Sequence, residues 1–379
     1  MGLPQNRSVF IKAYIRMNLG DDLFVKILCD RYPRVIFKIV CLAKYVNALK
    51  KIPNLKTIKY VLILDRVLDV LKIGFNMRTM LEKRITKNSS CFVFIGGSIF
   101  IESPQWRSKV SQLSAILTRV QSSFIIGSNF GPFQNPSYLL EYRNIFKKLS
   151  DICFRDQFSY NLFNDLPNAR YESDVIFSID ISKYLSIKPR KKALISVINL
   201  KHNPKLRSYA KVYENCIIGL ANEFIRQGYV VSLMGFCRAE GDERIIKRLL
   251  KSGMFSQIDN VSSYIYSGDI DEALIQFQEA ECVIATRFHA VILGFLFQKK
   301  VFPIIYSDKT LNFLYDMGYA GKKCKVEEVN NIQPMDVINH LINSTSLNIS
   351  KEVVSSNKQF IKLDEYLGTI GSMTKLVSD

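Results

Sequence analysis

Residues 91–132 read CFVFIGGSIFIESPQWRSKVSQLSAILTRVQSSFIIGSNFGP. The first five are apolar without alternation and give way at once to Gly96-Gly97-Ser98, the pattern of a short strand buried on both faces and ended by a turn. A helical pattern follows over 107–121, then a second buried run over 124–126 that ends at Ser128-Asn129-Phe130-Gly131-Pro132. Strand, helix, strand within about 35 residues is the βαβ unit, and it predicts a parallel, doubly wound sheet.

Working outward, the same alternation extends in both directions. Strands are expected at 9–15, 35–41, 58–64 and 152–154, with helices over 21–31 and 137–149. It pauses at 180–192, DISKYLSIKPRKK, whose proline, charge and weak periodicity suit a linker. A second series resumes with strands at 193–199, 230–235, 282–285 and 301–305. Its helices fall at 209–227, 240–251, 270–280, 289–297 and 309–317. The expected organisation is α/β with two Rossmann-like domains, 1–182 and 193–333, followed by a helical tail over 334–379.

Composition excludes several classes. Of 379 residues 48% are hydrophobic, with 25 Phe and 18 Tyr, which is ample apolar surface to offset ordering entropy. The formal net charge of +18 favours anionic partners. The cations are scattered, however, and the densest cluster, Lys188-Pro189-Arg190-Lys191-Lys192, reads as solvated. No helix carries a basic stripe and no aromatic-basic platform is present, so nucleic acid is not the expected partner. The eight cysteines form no CxxC and have no histidine at zinc-ligand spacing, as expected of free thiols in a reducing compartment. The first 22 residues lack the features of a secretory signal, and Asn6 breaks the myristoylation pattern. The longest uncharged apolar run, 91–101, is about half a membrane span. A cytoplasmic protein is expected, with the inner face of a membrane as the place where a lipid-linked substrate would take it.

Strand-to-helix junctions are where open parallel sheets bind ligands. The richest is Thr286-Arg287-Phe288-His289-Ala290, where an apolar strand ends and Thr286 is the expected N-cap. A cation in a first helical turn is locally unfavourable unless it meets an anion, so Arg287 and His289 suggest a phosphate or carboxylate site. His289 alone of the three histidines lies at such a junction. At Asn18-Leu19-Gly20-Asp21-Asp22, Gly20 permits a tight turn, Asp21 is the expected cap, and Asn18 and Asp22 are expected to face a cleft and bind hydroxyls. Gly97, Ser98 and Asn129 lie at two further turns, and Asp156 is a candidate cap after Arg155.

Taken in order, Asn18-x-Gly20-Asp21, Gly96-Gly97-Ser98, Gly131-Pro132, Arg155-Asp156-x-x-Ser159 and Thr286-Arg287-Phe288-His289-Ala290, followed by Pro303 and Lys309, resemble the polysaccharide pyruvyl transferase family. The resemblance runs from about residue 8 to about residue 320 and is most specific at Arg-x-His-Ala. It implies a GT-B-like pair of domains facing across a cleft, the N-terminal one for the acceptor and the C-terminal one for the donor. It also implies transfer of the pyruvyl unit of phosphoenolpyruvate to a sugar, usually as a cyclic ketal, in polysaccharide or exopolysaccharide biosynthesis.

By that resemblance Arg287, Phe288, His289 and Lys309 are donor residues. Lys201 stands where many members carry an arginine, which leaves that donor contact open. Asn18, Gly20, Asp22, Gly97, Ser98 and Asn129 are expected on the acceptor, with Asp21 as a candidate base. His289 is expected either to transfer a proton or to stabilise the departing phosphate. The donor is itself a substrate, and neither a cofactor nor a metal is expected. Two other readings stay open: a GT-B glycosyltransferase using a nucleotide sugar, for which Glu272, Glu279 and Glu281 would be the ribose candidates, and a non-catalytic basic module binding acidic glycan or anionic membrane. Under the pyruvyl reading, His289→Ala or Arg287→Ala is expected to cost on the order of 100-fold in rate with the fold intact.

Overall fold

The computed structural model describes residues 8–61 and 77–368, and within them every ladder between strands is parallel. By its internal contacts the chain forms two units, one of residues 1–15, 24–178 and 353–379, the other of residues 16–23 and 179–352.

The first unit carries strands β1 (Ser8–Lys12), β2 (Ile36–Leu42), β3 (Leu55–Tyr60), β4 (Cys91–Ile95), β5 (Ser122–Ser128), β6 (Asp151–Phe154) and β7 (Ala169–Tyr171). They lie in the order β3-β2-β1-β4-β5-β6-β7. Its helices are α1 (Leu19–Arg31), whose first turns belong to the second unit, α2 (Val46–Leu49), α3 (Met77–Lys87), α4 (Trp106–Leu117), α5 (Pro136–Phe146) and α6 (Gln157–Asn161). An aromatic core of Phe92, Phe100, Phe130, Tyr138, Tyr142, Phe146, Phe154 and Phe163 fills one side of the sheet, with rings meeting mostly edge to face or tilted.

The second unit repeats the plan with β8 (Lys192–Ser196), β9 (Val230–Gly235), β10 (Val261–Ile265), β11 (Cys282–Ala285), β12 (Lys300–Ile305) and β13 (Cys324–Lys325), ordered β10-β9-β8-β11-β12-β13. Its helices are α7 (Ala210–Arg226), α8 (Asp242–Leu250), α9 (Ile270–Glu279), α10 (Phe288–Leu296), α11 (Asp308–Asp316) and α12 (Pro334–Asn343). Helix α7 turns Tyr213, Ile217, Leu220, Ala221 and Phe224 onto β8 and β9, a spacing of three and four that makes one apolar face. In each unit the strand order reverses beside the first strand, β1/β4 and β8/β11. Ligands of doubly wound sheets bind at the carboxyl ends beside such a reversal.

The two-series α/β expectation holds, with adjustments. Strands β7, β10 and β13 were not foreseen; they are short or half-exposed edge pieces with little apolar signal. The strand expected at 58–64 is β3, shifted towards the N-terminus, and residues 62–64 lie outside the described residues. The stretch 180–192 is not a free linker. It belongs to the second unit, where Tyr184 is buried with its hydroxyl on Asp271 Oδ1 at 2.6 Å and Lys192 opens β8 beside Glu279.

Nor is 334–379 a separate tail. Helix α12 packs on α7 of the second unit, whereas α13 (Ser350–Lys358) carries the chain back to the first and α14 (Ile361–Leu367) lies there. Residues 369–379 lie outside the described residues. Burial of Gln359 explains the return. Its Oε1 accepts from Gly127 N at 3.0 Å and its Nε2 faces the carbonyls of Phe154, Glu172 and Ser173 at 2.9–3.2 Å. Arg31 adds a bidentate pair to Asp364.

Truncating Gln359 to alanine strands these backbone groups away from water, and it should lower unfolding free energy by about 3 kcal/mol. A urea-unfolding midpoint unchanged in Gln359→Ala would contradict this.

Candidate functional site

The site of the second unit is built at the carboxyl ends of β8, β9 and β11. Ser196, the last residue of β8, accepts through Oγ from the N–H groups of Thr286 and Arg287 at 3.1 and 3.0 Å, and so fixes the turn between β11 and α10. Arg287, not Thr286, occupies the N-cap position, without a side-chain cap bond. Thr286 instead meets the buried Tyr213 hydroxyl at 2.9 Å. These two N–H groups are therefore already used.

Arg287 is buried, and its guanidinium is shared between two carboxylates. Nε donates to Asp242 Oδ2 at 3.0 Å, Nη2 to Asp242 Oδ1, and Nη1 to Glu240 Oε2. Asp242, completely buried, also accepts from the N–H groups of Phe236 and Cys237 at 2.9 and 3.0 Å. Its cost of burial is thus met by four donors. The Arg287–Asp242 pair is structural as well as local to the site, which corrects one expectation: Arg287→Ala would leave Asp242 buried and unpaired and would cost about 3–5 kcal/mol of stability.

Glu240 is partly exposed. Burial works to raise its carboxyl, but Arg287, with Lys309 and the Asn18 side chain, outweighs that and holds it below the ordinary value. Lys309 Nζ stands 5.4 Å from the Phe288 ring centre and 5.9 Å from that of Tyr306. Cation, aromatic faces and carboxylate therefore share one corner.

Residues 16–23 complete this cluster. Leu19 N donates to Phe236 O at 3.2 Å and Asn18 bridges to Cys237, which docks the start of α1 on the end of β9. Asn18, not Asp21, caps α1: its Oδ1 accepts from Gly20 N at 3.1 Å, while its Nδ2 donates to Glu240 Oε1 at 3.4 Å. Gly20 lies directly against His289, and a Cβ there would fall 1.6 Å from His289 Nδ1. No other residue type fits without moving the imidazole. Asp21 and His289 are both partly exposed. Asp22, expected to face a cleft, is instead fully buried, with Oδ2 accepting from the Tyr266 hydroxyl at 2.8 Å and no partner for Oδ1 among the described residues. The segment expected on the acceptor side thus clusters with the donor candidates.

Lys201 is exposed on a short 3-10 turn after β8, while its neighbour His202 lies near Gly241, where an added Cβ would fall 2.9 Å from the ring. Glu279 and Glu281 flank the amino end of β11, away from Thr286, and are occupied by Lys192 and Arg190 and by Tyr229 and Lys300. That position does not suit a ribose-binding role. Glu240, Asp242 and Tyr266 escaped the sequence reading, although the sharp turn at Gly241, φ +89°, before an acidic helix start marks the place.

In the first unit Gly97, Ser98 and Asn129 are brought together around Arg155. Its guanidinium donates to Asp174 Oδ2 at 2.8 Å and to Asn129 Oδ1 at 2.7 Å, and Ser98 Oγ donates to Asn129 Oδ1 at 3.1 Å. Gly97 leaves room for the guanidinium, since a Cβ would fall 2.3 Å from Nη1. Asp156 caps α6 through Ser159 N, as expected. The cysteines are free, all buried except the half-buried Cys216, and no cluster suited to a metal ion occurs among the described residues. No helix there is long and apolar enough to cross a membrane.

The model of one family, described as polysaccharide pyruvyl transferase, matches residues 18–308. Solved structures resemble the chain over nearly its whole length at low identity. UDP-GlcNAc 2-epimerase of Methanocaldococcus jannaschii is 10% identical, covering 95% of this chain and 99% of that one, with a TM-score of 0.58. MnaA of S. aureus, solved with UDP, is 9% identical over 96% and 98%, at 0.58. HepE of Anabaena, solved with UDP and glucose, is 10% identical over 95% and 100%, at 0.56. These likenesses show the fold, which is GT-B-like.

Burial pushes the Asp22 carboxyl up to about 8, against the Tyr266 hydrogen bond, and Asp21 adds to the rise. From about pH 4, where an unfolded Asp ionises, to about pH 8 the native chain keeps a proton that the unfolded chain has lost. This residue's contribution to stability therefore falls as pH rises and is gone above that range. Asp22→Asn, neutral throughout, should gain on the parent in chemical unfolding as pH is raised from 5 to about 8. A stability difference constant across that interval would contradict the assignment.

Proposed function

Because the chain belongs to the polysaccharide pyruvyl transferase family, we propose that this glycan-modifying transferase moves the pyruvyl unit of phosphoenolpyruvate onto two hydroxyls of a sugar in a polysaccharide or glycan precursor. The observation that carries this reading is the corner formed by Arg287, His289, Lys309 and Glu240 at the start of α10. It offers fixed cations and a titratable imidazole to a small donor bearing a phosphate and a carboxylate.

The chemistry balances with these groups alone. A proton added to the donor's methylene carbon makes a methyl group and leaves positive charge on the enol carbon. One sugar hydroxyl adds there, the C–O bond to phosphate breaks, and the second hydroxyl closes the ketal. Of the two hydroxyl protons released, one replaces that given to carbon and the other leaves on phosphate. His289 handles a proton or the departing phosphate, Lys309 attracts the phosphate as a point charge, and Asp21 is the candidate base for the attacking hydroxyl. Lys201 lies on the exposed turn where further donor charge can be met. Ser98 and Asn129, set by Arg155, suit sugar hydroxyls on the acceptor side.

Arg287 needs a more particular account, since its guanidinium is already matched. Asp242 takes the edge formed by Nε and Nη2. Nη1 carries Glu240, a partly exposed side chain on a short turn. The donor anion competes with Glu240 for Nη1, and Asp242 keeps the guanidinium in place meanwhile.

Purified protein incubated with phosphoenolpyruvate and a panel of lipid-linked or nitrophenyl sugars should release phosphate and give a mass gain matching a pyruvyl ketal. Release of UDP or GDP from a nucleotide sugar would overturn the reading in favour of glycosyl transfer. His289→Ala should lower turnover on the order of 100-fold or more with the fold intact. Glu240→Gln separates two roles: competition predicts a KM for the donor about three- to tenfold lower. A turnover loss of about 100-fold at unchanged KM would make Glu240 the base instead.

A further inference from the structure

The sequence from Arg31 to Val61 contains eight Lys and Arg and not one Asp or Glu. The fold gathers most of that charge at one border of the first unit. Strand β3, the edge of its sheet, carries exposed Lys56 and Lys59. Helix α2 packs on β3, and the turns before and after it expose Lys44, Lys50 and Lys51. Helix α3 packs on β2 and β3 and exposes Lys83, Arg84 and Lys87. Its single acid, Glu82, is turned inward and matched by Lys12 and Arg78. Exposed Met80 and Val61 lie among these cations.

We propose that this border of the first unit docks on the surface of an anionic lipid bilayer. Among the described residues of β3, α2, α3 and the turns beside α2, no exposed carboxylate stands between Lys44, Lys50, Lys56, Lys59, Lys83, Arg84 and Lys87, unlike an ordinary solvated surface, where both signs are interspersed. Exposed Met80 and Val61 give the mixture of basic and apolar side chains that partitions into the headgroup layer. An edge strand lined with lysines is also protected from pairing with another strand, but that protection does not require the cations on α3 or beside α2. The proposal stands on charge and placement and does not depend on the pyruvyl chemistry.

The probe is vesicle cosedimentation of the full chain with phosphatidylcholine containing about a third phosphatidylglycerol, at about 100 mM salt. Binding should be strong there, absent with phosphatidylcholine alone, and lost on raising salt. A variant combining Lys50→Glu, Lys51→Glu, Lys56→Glu and Lys59→Glu should bind about 100-fold more weakly or worse. A charge-matched control combining Lys322→Glu, Lys323→Glu, Lys325→Glu and Lys351→Glu, on the second unit, should stay within about threefold of the parent. Should the first variant not fold, Lys83→Gln with Lys87→Gln must weaken binding by about threefold or more. Equal loss in the control would overturn the proposal, since net charge alone would then account for binding. Equal binding to neutral vesicles, or tighter salt-sensitive binding of duplex DNA or RNA through the same lysines, would overturn it as well.

Discussion

A buried guanidinium has to be matched where it lies, and the second unit is organised around matching Arg287. Asp242 supplies two hydrogen bonds and is itself held by two backbone N–H groups at the end of β9. One ion pair thereby locks the β11–α10 turn to the β9–α8 turn, the two connections that flank β8. Glu240 is drawn in by the remaining edge of the guanidinium, and Asn18 by Glu240. Remove the pair and Asp242 is left buried without its two strongest donors, and Glu240 without its charged partner. Removing one partner of such a pair is far more damaging than never having had it.

How much of this could be seen in the sequence depends on the range of the forces involved. Parallel strands buried on both faces announce themselves as apolar runs, so β4, β6, β9 and β11 are legible almost to the residue, and β5 to within two residues at each end. The half-exposed strands β7 and β10 carry no such signal. Caps are governed by a few atoms: Asp156 is found correctly, whereas Asp21 loses its expected role to Asn18 and Thr286 its position to Arg287, in a turn held by Ser196 from 90 residues away from Thr286. Arg287 and His289 stand out because a cation in a first helical turn is anomalous. Asp242 and Glu240 look like any acidic helix start, and only the adjacency of β9 and β11 across β8 brings them to the arginine. The same limit applies to charge. Lysines spaced several residues apart form no visible run, and strand pairing, which sets Lys38 beside Lys56 and Lys59 beside Cys41, is what concentrates them.

The two polar centres follow one design on two sheets. Each sets an arginine after an interior strand, matches it with a buried aspartate, Asp174 in one unit and Asp242 in the other, and uses a glycine to admit a bulky polar group. They differ in what remains available. Arg155 is enclosed with Asp174 and orders Asn129 and Ser98, which are neutral groups. Arg287 ends on a carboxylate that is partly exposed, with Lys309 close enough to act on it. The two centres thus differ in how completely each arginine is neutralised.

The segmentation of the chain bears on its synthesis. Residues 16–23 are made early but belong with a unit whose remaining residues begin at 179, and the first unit is completed only by residues from 353 onward. On the ribosome, α1 therefore emerges long before the strand end on which its first turn rests, and the carbonyls that Gln359 covers wait until 205 residues have followed Phe154. Neither half can finish folding as a contiguous domain in the order of translation. The nascent chain must hold an incomplete first sheet until its last helices appear, and a cut near residue 180 would separate His289 from the glycine that makes room for its ring.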